Sequence, residues 1–154
     1  MSESLAINSV VQTKLAAWLG AQTLSWTPRI LTGFRRMTAG EILGQMEAAG
    51  EVDTVVIECA SASPIFHNSQ FYIATVHVRV RHDCDRVTEA VHGTRVNEIA
   101  ALIQNYTTIR DALNALGDFN ASQIQIDSQT QTSSGRSYET TLIISMEVAG
   151  KSYS

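Results

Sequence analysis

The sequence predicts an α+β fold: a mainly antiparallel sheet of about four to five strands, with two main helices packed on one face. Three observations carry that expectation. Two strand-like stretches, one rich in β-branched residues and one alternating, stand before a long helical stretch and two more stand after it. The strand from Phe71 to Arg81 alternates almost without a break, with Tyr72, Ala74, Val76, Val78 and Val80 on one side. The last two strands carry Ser, Thr and Gln on their outer sides, as expected of a sheet wet on one face.

The elements follow in order. From Ser4 to Leu19 the apolar residues Leu5, Val10, Val11, Leu15, Trp18 and Leu19 form a largely helical stripe, with Ser4 as N-cap and Gly20 as the stop. Thr23 to Phe34 reads as extended chain, and Pro28 confines any strand there to an edge. Thr38-Ala39-Gly40-Glu41 has capping-box spacing, so either a short helix to Ala49 or a structured loop is expected. Val52 to Ala60 is rich in β-branched residues. Ser61 to Ser69 reads as a turn, so this strand and the next form an antiparallel pair. Asp85 or Thr88 opens a helix to about Tyr106, with Val91, Val96, Ile99, Leu102 and Ile103 as its buried stripe. Asp111 to Leu116 is read as a further helical turn, ended by Gly117. In the closing hairpin Ile124 and Ile126 alternate with Gln123, Gln125, Asp127 and Gln129. Ser133-Ser134-Gly135 makes the turn, and Tyr138, Thr140, Leu142, Ile144, Met146 and Val148 share one face.

With 154 residues, 44% of them hydrophobic, and no internal repeat or linker, one domain over residues 1–154 is expected, with flexible ends at about 1–3 and 150–154. A net charge of -4 argues against a protein that coats nucleic acid. Cys59 and Cys84 are too few for a disulfide framework and read as reduced thiols of a cytosolic protein. The first residues lack a signal-peptide pattern and no apolar run approaches a membrane span, so a soluble protein that is not secreted is expected.

Chemistry-bearing groupings are sparse. His77, His82 and Cys84, with Asp83 and Asp85, make the most metal-like set. Spacing supplies no third and fourth ligand, and His67 or His92 would join only through the fold. The plainer reading is a strand end leading into an N-capped helix. Cys59 reads as a small core residue; no phosphate loop or dinucleotide fingerprint is present. No catalytic, metal or cofactor-binding residue is therefore assigned, and no cofactor is expected. Two polar faces remain. Thr75, His77, Arg79 and Arg81 form a charged stripe, and Gln123, Gln125, Asp127 and Gln129 a polar ladder. Each is either a partner or subunit interface or a solvated strand face.

The N-terminal helix, the strand Phe71-Tyr72-Ile73-Ala74-Thr75-Val76-His77-Val78-Arg79-Val80, the helix from Val87 to Tyr106 and the closing strand Tyr138-Glu139-Thr140-Thr141-Leu142-Ile143-Ile144-Ser145-Met146-Glu147-Val148 share an order. That order, over roughly Ser4 to Val148, resembles the tail terminator (tail completion) proteins of tailed bacteriophages and related neck proteins. The resemblance rests on element order, length and strand texture. It implies a non-enzymatic structural virion protein of the tail–neck region, assembled in the host cytoplasm. It also implies a homo-oligomeric ring, usually a hexamer, that caps the tail tube and stops its polymerisation. The implied partners are the tail tube protein, the head–neck connector and genomic DNA passing through the lumen without specific binding. The alternative from another class is a small cytosolic ligand-binding domain or enzyme with its site between sheet and helix.

Overall fold

The computed structural model describes residues 3–33, 53–65, 71–116, 119–133 and 137–150. Three helices and five strands follow in the order α1 (Glu3–Gly20), β1 (Arg29–Thr32), β2 (Thr54–Pro64), β3 (Phe71–Asp83), α2 (Glu89–Gln104), α3 (Tyr106–Ala115), β4 (Phe119–Ser133) and β5 (Ser137–Gly150). The sheet runs β1-β2-β3-β5-β4. All pairings are antiparallel except β1 with β2, which run parallel, so the expected α+β class stands with a mixed sheet. Pro28 precedes the short edge strand, where a missing N–H disturbs no ladder.

Strand alternation decides which side is buried. Tyr72, Ala74, Val76, Val78 and Val80 of β3 pair in register with Val148, Met146, Ile144, Leu142 and Thr140 of β5. The apolar ones among them join Val55, Ile57 and Cys59 of β2 beneath the helices in one contiguous core. Val11, Leu15, Trp18 and Leu19 of α1 cover it from one end, and Ile109 and Leu113 of α3 from the other. Each such side chain contributes about 1.5–3 kcal/mol by leaving water.

Several irregularities interrupt the regular elements. β2 has a bulge between Cys59 and Ser61, and the Cys59 N–H there donates to Gln12 Oε1 of α1 at 3.1 Å. Gln12 is buried for that reason. β4 shifts register twice, between Ser122 and Gln125 and between Ile126 and Ser128, and Gln123 in the first shift adopts φ 53°. Asn105, at ψ 74°, interrupts the helical run so that α2 ends and α3 begins at Tyr106, well before the turn expected at Asp111.

Thr88 caps α2, its hydroxyl accepting from the Val91 N–H at 3.2 Å, as one of the two expected starts. The buried stripe is His92, Val96, Ile99, Ala100 and Ile103. Val96, Ile99 and Ile103 are buried as expected and Leu102 is partly so, but Val91 is 39% exposed and His92 takes the inward place. The series 92, 96, 99, 103 is the true helical period, and His92 is admitted because partners await it. α1 ends at Gly20 as expected but begins at Glu3, one residue before the expected cap. The expectations for Thr38 to Ala49 and for the hairpin turn at Ser134-Gly135 lie outside the described residues, as do residues 66–69 of the expected Ser61–Ser69 turn; its first four residues are strand instead, extending β2 to Pro64.

Candidate functional site

The described helices pack on one side of the sheet, and the other side gathers most of the polar residues singled out from the sequence. Cross-strand register places them in rows. Glu58, His77, Ile143 and Ser128 form one row, and Val56, Arg79, Thr141 and Thr130 the next. A third row joins Thr75 to Ser145 and Gln125. Thr75, His77 and Arg79 of β3 therefore share this face with Gln125 of β4, joined through the intervening strand β5. Asp127 belongs to it as well, accepting from Ser145 Oγ at 3.1 Å and from Gln125 Nε2 at 3.0 Å.

The ladder expected of Gln123, Gln125, Asp127 and Gln129 is broken by the two register shifts in β4. Gln129 pairs with Leu142 and so stands on the helix side, while Gln123 sits in the left-handed bulge with its N–H on the Tyr106 hydroxyl at 3.3 Å. A strict period of two holds only where no residue is inserted. Arg81 shares this face, between Thr54 and Glu139, and like Thr54 and Val56 beside it is buried, 6%, 0% and 4% exposed, so the face is open to solvent over β4 and the start of β3 rather than at the β2 side. Thr75, His77 and Arg79 are half-buried. Arg79 donates to Glu58 Oε2 at 3.0 Å and stands 3.2 Å from His77 Nδ1. Burial, and next the Arg79 charge, hold His77 below its ordinary pKa against the pull of Glu58. At the far end of β3, Phe71 and Ile73 are exposed on this face, 54% and 45%. The open face thus grades from a paired charge cluster through hydroxyl and amide groups to an apolar end.

A second polar cluster lies on the helix side, in the core. His82, at the end of β3, and His92, in the first turns of α2, are both 0% exposed. Their Nδ1 atoms are 2.7 Å apart, and His92 Nε2 is 2.8 Å from Thr140 Oγ1 of β5. At that distance one Nδ1 must carry a proton and the other must be bare. Burial is the first cause that lowers both imidazoles, and His82 falls to about 4, helped by the facing His92 and by Arg95. Trp26 stacks on His82 with ring centroids 4.7 Å apart, and the Arg95 guanidinium lies 5.2 Å over the indole while reaching Asp53 at 3.7 Å. Ser25 N–H donates to Glu98 at 2.8 Å. The cluster fastens the loop after α1, the end of β3, α2 and β5 together.

The metal-like residues are thus divided. His82 and His92 meet, His77 faces the opposite side of the sheet, and His67 lies outside the described residues. Cys84 follows the end of β3 in a turn, and the Tyr138 hydroxyl bonds to it. Among the described residues no three His, Cys, Asp or Glu side chains gather around a point where a cation could sit. Cys59 is buried and its thiol is pushed up to about 12 by desolvation, the chemistry of a core residue rather than a nucleophile. A groove of about 370 Å³ beside the end of α1 is lined by Leu19, Leu24, Trp26, Pro28 and Ile30 among others. The described residues include no helix long and apolar enough to cross a membrane. The His82–His92 pair was legible only as two separate histidines, because nine intervening residues and a strand-to-helix turn bring them together. Comparison with protein-family models finds no match, and comparison with curated proteins finds none.

Proposed function

We propose that this chain is a virion assembly protein of the tail-terminator type found in tailed bacteriophages, acting through its surfaces. In this reading copies close into a ring, with six the expected number. The ring caps the tail tube, halts its polymerisation and presents its other side to the head–neck connector, while DNA passes through the lumen. The observation that carries the proposal is the open sheet face, where Thr75, His77, Arg79, Gln125 and Asp127 lie in continuous cross-strand rows opposite the helical layer. A flat, mixed face of that kind suits docking against another flat surface. The order of elements, helix, strand pair, helices and closing hairpin, is the order on which the resemblance rests. A heterologous contact that closes on itself gives a ring of fixed number, and a net charge of -4 disfavours adhesion to transiting DNA.

The test is the mass of the purified protein by light scattering after size exclusion, with and without tail tube protein. A hexamer, or a ring formed only on tube ends, is the expected result. Thr75→Arg, which sets a bulky charge in the middle of the open face, is expected to reduce capping while leaving the far-ultraviolet circular dichroism unchanged. A protein that ignores tubes, and whose behaviour Thr75→Arg leaves unaltered, overturns the proposal.

A further inference from the structure

The two halves of β4 are treated differently by the rest of the fold. β4 is the last strand of the sheet, so the edge that faces away from β5 has no neighbouring strand among the described residues. Over its first half that edge is closed by α3. The Ala121 N–H donates to Asn114 Oδ1 at 2.7 Å and the Gln123 N–H to the Tyr106 hydroxyl at 3.3 Å. Beyond the second register shift no such cap occurs among the described hydrogen bonds, and every residue from Asp127 to Thr132 is exposed.

Among the described residues the devices that keep an edge from pairing are missing there. Edge strands are ordinarily blunted by lysine, proline, bulges or a covering element. β4 contains no Lys, Arg or Pro in its 15 residues, and both of its irregularities fall before Ser128. The segment Ser128-Gln129-Thr130-Gln131-Thr132 is regular, extended and uncharged. Neutrality also selects the occupant. A charged strand laid antiparallel on its own copy sets like charges against each other, which is unfavourable. This segment carries none, so it is compatible with itself. A charged foreign peptide would find Asp127 at the border and Glu89 of α2, whose carboxylate stands 3.4 Å from Gln131 Nε2, but no charge within the segment itself. Hydroxyl and amide side chains on both faces add cross-strand hydrogen bonds to the backbone ladder.

We infer that the second half of β4 pairs edge to edge with the same segment of a second copy of this chain, across a two-fold axis, to join two five-stranded sheets. This contact is independent of the proposed ring: it is isologous and needs no tube, whereas ring closure needs a heterologous surface. The experiment uses the full chain alone, by light scattering and analytical ultracentrifugation in the micromolar range. The wild type is expected to be an even-numbered assembly. Thr130→Lys and Thr130→Glu, each alone, are expected to weaken association by roughly a hundredfold, the effect of like charges brought face to face. Mixing the two variants is expected to restore it, which a variant that had simply misfolded would not do. A wild-type monomer throughout that range overturns the inference. So does an assembly whose mass neither variant changes, even if that assembly is a ring that caps tubes.

Discussion

His77 and His82 stand on the same strand, five residues apart, and have opposite surroundings. An odd separation puts them on opposite faces of the sheet. His77 looks onto the open face, half-buried beside Arg79 and Glu58. His82 looks into the core, fully buried against Trp26 and His92. One strand thus supplies the paired charges of a surface and the neutral hydrogen-bonded pair of an interior. The comparison teaches that identity and neighbours in sequence say little about a histidine's state; parity and what packs above it decide.

The comparison breaks most easily from the inside. His82→Ala removes the ring under Trp26 and leaves His92 Nδ1 without its partner, so a loss of about 2–4 kcal/mol is expected in urea unfolding. His77→Ala is expected to change stability by less than about 1 kcal/mol, and equal losses would show that the two environments do not differ as described.

Acid sharpens the same contrast. His82 titrates near 6.5 when unfolded and at about 4 in the fold, so the unfolded chain binds the extra proton between those values. Its contribution is complete above about pH 6.5 and is lost as the pH falls toward 4. It amounts to at most about 3 kcal/mol. A second proton on the pair would also set N–H against N–H at 2.7 Å. Denaturant midpoints measured from pH 7 to pH 4 are expected to fall, and His77→Ala is expected to keep that slope. A His82→Leu, His92→Leu double variant is expected to flatten it.

Thr140→Val keeps the shape of the side chain and removes the hydroxyl that meets His92 Nε2 at 2.8 Å, with an expected loss of about 1–2 kcal/mol. The smallest effect belongs to the open face. Arg79→Ala deletes the Glu58 pair, whose side chains are 23% and 14% exposed, and water still screens it. A change of about 1 kcal/mol or less is expected in the same unfolding assay.

Much of this architecture was legible in the residues. The alternation of β3 and β5, the Thr88 cap, the stop at Gly20 and the edge position after Pro28 are all local rules that the structure obeys. The face shared by Thr75, His77 and Arg79 was legible too, since it needs only the pleat. The break in the β4 ladder was not. Its first bulge answers to groups on α3, the Tyr106 hydroxyl and the Asn114 amide, that lie seventeen and seven residues, respectively, from the backbone they meet. Nor was the inward turn of His92 legible, because a histidine scores as polar until a buried partner is known.

The sequence alone determined the class of fold, the order of its elements and which strand faces are apolar, because those follow from period and propensity along the chain. Only the tertiary structure decided which polar residues meet. The row from Thr75 through Ser145 to Gln125, the 2.7 Å approach of His82 to His92 and the half-capped edge of β4 all depend on strand register and helix placement. Those are fixed by packing between segments far apart in the chain, where a one-residue shift moves every side chain to the other face.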